Sequence, residues 1–239
     1  DYHETYNAQD FPEKINDVYN KGMIDKESEM WDSIQNLGNR ASYAYAFYYW
    51  EGIEELHPKY KVCATGSPSY IFFACRKLKK IESQYFDLLG TTPSKTANSA
   101  CNYSTFGYCN NLEEIEDIGM VAGGYYVTYA HCYNLRKIAK WRIDEDCAIN
   151  NPFNRCDSLE EIEVEGTIGN SVSFQYSPLN VASMKSIITA LKDYSGTDKE
   201  FTYTLTLKSD CKTALENEGA TAEYNGVACT WTELIDNKK

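Results

Sequence analysis

The chain has 239 residues, 43% of them hydrophobic and 24% charged, and a formal net charge of −12. It is long enough to bury a sizeable core, and no apolar run approaches the ~18 residues of a membrane-spanning helix. The acidic balance and the scatter of the basic residues count against a nucleic-acid or anionic-membrane partner, because both are met by basic patches, and no membrane insertion is expected.

In chain order, residues 1–24 are polar and read as an extended arm. Residues 26–36 carry Met30, Trp31 and Ile34 at helical spacing, with Leu37 following and Gly38 as a stop. Then a pattern sets in, an aromatic, a Cys or Trp and two aliphatics, each three residues apart. Its five copies are Phe47, Trp50, Ile53 and Leu56; Phe72, Cys75, Leu78 and Ile81; Phe106, Cys109, Leu112 and Ile115; Tyr129, Cys132, Leu135 and Ile138; and Phe153, Cys156, Leu159 and Ile162. The intervals at the Cys/Trp position are 25, 34, 23 and 24 residues, the range of a leucine-rich repeat. The long interval holds an insertion over 88–102, rich in Gly, Pro, Ser and Thr and read as a surface loop. Beyond the repeats the spacing predicts a helix over 181–194, with Met184, Ile187, Ile188 and Leu191 on one face. It further predicts a strand over 201–207, a short helix over 211–218 and a closing strand over 227–234. The flanking segments read as caps that cover the end layers of a stacked array. The expected organisation is an arm and helical cap (1–40), about five repeats (41–176) and a helix–strand cap (177–239), forming one cooperative unit.

Between the two aliphatics of each copy sits a charged pair whose sign alternates: Glu54-Glu55, Lys79-Lys80, Glu113-Glu114, Arg136-Lys137 and Glu160-Glu161. If one repeat forms one layer, the second aliphatic points inward on a short strand and its neighbours point out. The column before it, Glu55, Lys80, Glu114, Lys137 and Glu161, then sets each carboxylate beside an ammonium at about 4.8 Å strand spacing. A slip of one layer would oppose like charges, so the pattern enforces order. The column after it, His57, Glu82, Glu116, Ala139 and Glu163, is mostly acidic. It is either a recognition strip for a basic or polyhydroxylated partner or a solvated sheet face.

Four of the nine cysteines fall on the repeat where the first copy has Trp50, which favours buried, reduced thiols over disulfides. Cys63, Cys101 and Cys147 suggest a second internal column. No CxxC is present, and no zinc or cofactor site is expected.

The FxxCxxLxxI run resembles the BspA-like (treponemal-type) leucine-rich repeats of bacterial surface proteins and some phage-encoded ones. The match runs from Phe47 to Ile162, and the stretch SPLNVASMKSIITALKDYSG with FTYTLTL looks like the C-terminal end of such proteins. The resemblance implies an α+β leucine-rich-repeat solenoid: a parallel sheet of short strands, irregular or helical returns and caps at both ends. It also implies adhesion or protein binding, outside the cell, at its surface or on a virion. The family's Ile-Pro and Ile-Gly signatures survive only as Ile118-Gly119 and Ile168-Gly169.

A search for catalytic chemistry returns little. Of the three histidines, His3 lies in the arm, His57 beside the sheet and His131 next to Cys132, and neighbours in sequence there should point apart. No GxSxG, Walker loop or GxGxxG occurs. Asp144-Glu145-Asp146 reads as a solvated acidic turn rather than a calcium loop. Among twenty tyrosines, clusters occur at Tyr43, Tyr45, Tyr48 and Tyr49, at Tyr60, and at Tyr125, Tyr126, Tyr129 and Tyr133, which suits either a binding surface or layer-edge filling. The expectation is a non-enzymatic, monomeric binding module using Glu55, His57, Lys80, Glu82, Glu114, Glu116, Lys137, Glu161 and Glu163 to meet a protein or glycan. The alternative is a structural component of a virion or surface assembly.

Overall fold

The three-residue spacing becomes a run of tight turns. In a computed structural model that describes residues 47–57, 61–63, 69–88, 102–197 and 203–239, the Cys75 N–H donates to Phe72 O (3.1 Å) and the Leu78 N–H to Cys75 O (3.2 Å). The same two bonds recur at Cys109 and Leu112, Cys132 and Leu135, and Cys156 and Leu159. With three residues per turn, every third side chain faces the same way, and that way is inward. Phe72, Cys75, Leu78 and Ile81 and their counterparts are all buried.

These turns demand unusual backbone. The residue two after each repeat aromatic has a positive φ: Tyr49, Ala74, Tyr108, His131 and Arg155. So does the residue two before it in four copies: Tyr70, Ser104, Val127 and Asn151. A left-handed non-glycine residue costs about 1–2 kcal/mol, so the stacked neighbours must hold each in place.

The turns lie one on another. The repeat aromatics form a column, Phe47, Phe72, Phe106, Tyr129 and Phe153, with ring centroids 5.3–5.5 Å apart and planes within 10° of parallel. Beside it runs a file of thiols, each donating to the carbonyl of the preceding aromatic: Cys75 to Phe47 O, Cys109 to Phe72 O, Cys132 to Phe106 O and Cys156 to Tyr129 O, at 3.0–3.2 Å. The cysteines of the described core are free and buried.

The strands are β1 (Val62–Cys63), β2 (Lys80–Ile81), β3 (Phe86–Asp87), β4 (Asn102–Tyr103), β5 (Glu114–Ile115), β6 (Val121–Tyr126), β7 (Lys137–Asn150), β8 (Glu161–Gly166), β9 (Val172–Phe174), β10 (Leu205–Leu207), β11 (Ala222–Tyr224) and β12 (Val227–Cys229). The helices are α1 (Val181–Ala190), α2 (Ser209–Glu216) and α3 (Trp231–Asn237). The main sheet is parallel, in the order β2-β5-β7-β6-β4, with β8 also on β7. It is a curled parallel sheet in a mixed α/β chain with few helices. The register matches the ladder read from the sequence: Lys80 opposite Glu114, Glu114 opposite Lys137 and Lys137 opposite Glu161, with Ile81, Ile115, Ile138 and Ile162 alongside.

The pattern continues one turn further than the five copies. Phe174 stacks on Phe153 at 4.5 Å, and the Ser177 N–H donates to Phe174 O, but Ser177, Asn180 and Ser183 stand where other copies have Cys, Leu and Ile. Asn180 accepts from the Ser183 N–H and so caps α1. The Ser183 and Ser186 hydroxyls accept from Ile162 N–H and Val164 N–H of β8, both at 2.9 Å. Hydroxyls thus replace the next strand along that edge.

Several expectations need correction. The predicted 181–194 helix ends at Ala190, and Leu191 instead bridges to Ile168 in parallel fashion. The 227–234 segment is not one strand: β12 pairs antiparallel with β11 and stops at Cys229. There Thr230 and Glu233 form a capping box that starts α3. Residues 144–146 are no turn; they lie within the 14-residue β7. Cys63 lies opposite Asp87 in the β1–β3 pair and Cys147 lies in β7 beside Ala148, the partner of Gly124, and no strand pairing of the described residues links the two. Leu88 and Asn102, assigned to the insertion, belong to the coils: the Leu88 N–H donates to Ile118 O and Asn102 lies in β4. The arm, the 26–36 helix, Cys101, Tyr43, Tyr45 and most of the insertion lie outside the described residues. Of the Ile-Gly pairs, Gly119 has a φ of 66°, and a Cβ on Gly169 would stand 1.9 Å from Glu145 O, so both need glycine.

Candidate functional site

Outward positions on successive turns form one surface with two parts. The first is the charged ladder on β2, β5, β7 and β8, where parallel pairing sets each side chain beside its counterpart one turn away. Lys80 lies 3.5 Å from Glu114, and Lys137 lies 3.9 Å from Glu114 and 3.7 Å from Glu161. A parallel column adds Lys79 to Glu54 (2.8 Å) and Arg136 to Glu113 (3.2 Å). A furrow of about 440 Å³ runs between the columns.

The first turn departs from the expected ladder. Glu55 faces His57 Nδ1 at 3.7 Å, and Lys80 reaches instead to Glu116 at 2.6 Å. The column after the second aliphatic is likewise not an open acidic strip. His57 Nε2 meets Glu82 at 2.8 Å while its ring stacks on Tyr85 at 4.7 Å. Glu116 takes Lys80 together with the N–H and hydroxyl of Ser83, both at 2.9 Å, and Glu163 pairs with Lys140. The Lys80 ammonium, helped by Ser83, holds the Glu116 carboxyl below its ordinary range. The cations that neutralise this column come from neighbouring positions, which a column-by-column reading of the sequence overlooks.

A further ladder escaped the sequence reading. Arg142 grips both oxygens of Asp117 (3.0 and 2.6 Å) and also reaches Glu165, and this hydrogen bonding lowers the Asp117 carboxyl. The three residues lie on successive turns, but irregular spacing after the second aliphatic, with a bulge between Ile138 and Trp141, hides their alignment.

Where α1 meets the sheet, Ala139 interrupts the charged column. A hollow of about 410 Å³ opens there between Ile138, Ala139 and Ile162 of the sheet and Ala182, Ser183 and Ser186 of α1, with Lys137, Glu161, Glu163 and Asn180 also lining it.

The second part is an aromatic corner where the chain turns. Tyr48 stacks on Phe73 (5.2 Å), Tyr70 packs on Tyr103 (5.2 Å), Tyr103 stacks on Tyr126 (6.2 Å) and Tyr108 stacks on His131 (4.5 Å). Arg155 lies over both Tyr133 and Tyr176 at about 5.5 Å. Tyr103, Tyr108 and Tyr176 remain 38–39% exposed. Of the other clustered tyrosines, Tyr125 and Tyr129 are core residues. Arg76 lies over Tyr108 while hydrogen-bonding Glu51 and Asn110.

His131 and Cys132 diverge. The thiol is buried on Phe106 O and pushed well up by burial, while His131 Nδ1 meets the Tyr133 hydroxyl at 2.9 Å. Among the described residues no group of three or more His, Cys, Asp or Glu is placed to hold a metal ion, and no helix is long and apolar enough to cross a membrane. Comparison with protein-family models, with curated proteins and with solved structures finds no match to this chain.

Proposed function

We propose that the chain is a BspA-like leucine-rich-repeat solenoid, and that it serves outside the cell or on a virion as a non-catalytic module that binds a protein. In-register turns, stacked aromatics and the thiol file support the solenoid. A single buried cluster from Phe47 to Leu234 supports reading array and C-terminal cap as one cooperative unit. Binding is assigned to the sheet face and the adjoining tyrosine corner.

The observation that carries this reading is the order of the corner. The charged ladder has a structural use in setting register, but the half-exposed rings of Tyr103 and Tyr108 bury less than a core needs. Each is held by a stacked neighbour, so a partner meets contact area whose rotamer entropy is already lost. Column stacking also presents ring edges and hydroxyl tips rather than open faces, which fits protein better than the faces of sugar rings.

The test is a binding screen of the chain and of a Tyr103→Ser/Tyr108→Ser variant against immobilised extracellular-matrix proteins and a glycan panel. A protein ligand whose affinity drops at least tenfold in the variant, with the circular dichroism spectrum unchanged, is the expected result. Glycan-only binding, or protein binding indifferent to both substitutions, overturns the reading.

A further inference from the structure

We propose that the hollow between the sheet face and α1 anchors one long cationic side chain, a lysine or an arginine, of the partner; this rests on the binding-module reading and names the chemistry of its anchor. The other copies of this column carry His57, Glu82, Glu116 and Glu163, and each of those is engaged by a neighbour. Ala139 alone leaves space, and the helix side answers with Ala182, whose small exposed side chain leaves the cleft open.

The floor of Ile138, Ala139 and Ile162 is apolar, and the Ser183 hydroxyl beside it is engaged both ways, accepting from Ile162 N–H and donating to Glu160 O, while Ser186 accepts from Val164 N–H. An aliphatic stem finds a matching surface on that floor. Two carboxylates also line the hollow. Glu161 faces Lys137 across 3.7 Å, too long for a hydrogen bond, and that lysine is shared with Glu114 at 3.9 Å. Glu163 gives Oε1 to Lys140, whereas Glu161 makes no hydrogen bond to its lysine; at 56% and 61% exposed, Glu161 and Glu163 both keep solvent-facing surface for a cationic head group. The net charge of −12 favours the same partner sign at longer range.

The test is a titration of the ¹⁵N-labelled chain with acetyl-Ala-Ala-Arg-Ala-Ala-amide at 0.15 M salt, with the citrulline peptide as its neutral counterpart. Saturable amide shifts centred on Ala139 and Ala182 are expected, at least fivefold weaker for the citrulline peptide. Ala182→Trp, which fills the cleft from an exposed helix position, and the pair Glu161→Gln/Glu163→Gln should each weaken binding at least tenfold. Shifts spread over the acidic surface, or binding that survives either variant, overturn the proposal. The two readings fail separately. A matrix protein that binds Ala182→Trp normally, yet loses the tyrosine variant, removes the anchor and leaves the module.

Discussion

The repeat turns and the turn that follows them at Phe174 take the same path with opposite materials. From Phe47 to Ile162 the inward positions are aromatic, thiol and aliphatic, and each turn's polar backbone is satisfied by the turn beside it. In the turn that begins at Phe174 the aromatic persists, but serine, asparagine and serine take the remaining places, and the chain leaves the sheet as α1. A parallel stack has no internal reason to stop; the edge of β8 offers a row of N–H groups to any further strand. What ends it is a change of side chain at the repeat positions, from groups that need burial to groups that hydrogen-bond. Lys238, at the end of α3, then donates to Ile188 O, Thr189 O and Leu191 O at the C-terminus of α1.

The contrast breaks most completely in alkali. Burial raises the thiols of Cys75, Cys132 and Cys156 in the array. A group whose pKa is raised by folding gives its full stability below its unfolded value and loses it as pH rises. Unfolded thiols ionise near pH 8.5, so each of the three should lower stability by about 2 kcal/mol at pH 10. Denaturant midpoints at pH 7, 8, 9 and 10 should fall steeply only above pH 8.5. A flat profile would place these thiols in water.

Cys109→Asp should come next, destabilising by about 3–5 kcal/mol, because a carboxylate would replace the thiol that donates to Phe72 O in a dry interior. Urea unfolding of this variant checks it, and near-normal stability would mean the site is hydrated. Ser183→Ala tests the other material. It strips a buried acceptor from Ile162 N–H and a donor from Glu160 O, at a cost of about 1–3 kcal/mol. Loss should concentrate where α1 meets β8, with faster hydrogen exchange at Ile162 than at Ile138. Equal exchange at the two amides would show that the hydroxyl does not close the edge.

How much of this was legible in the sequence depends on regularity. A fixed period of three named the inward residues and the opposing charges, because both follow from turns of equal length. The legible part ended where segments differ in length. The Asp117, Arg142 and Glu165 ladder lies past the second aliphatic, where β7 carries a bulge, so no constant offset links its members. The hollow was invisible for another reason. Ala139 could be seen as a gap in a column, but Ala182 lies on a helix that no repeat period brings alongside it. Nor did the period mark the sixth turn, since its polar positions break the pattern that would have revealed it.

The smallest effect is the most specific to register. Lys80→Glu should place a carboxylate beside both Glu114 and Glu116, replacing two ion pairs with two repulsions. These groups are 30–40% exposed, so solvent screens them and the expected loss is about 1 kcal/mol at low salt. The exposed Lys77→Glu, in the same turn and within reach of Glu54 but outside the Lys80 column, supplies the control for an equal change in net charge. At 0.5 M salt the Debye length shrinks to a few ångströms and the two variants should converge. If they already agree at 20 mM salt, the alternating signs do not act between neighbouring turns, and order along the stack is set by the aromatic column alone.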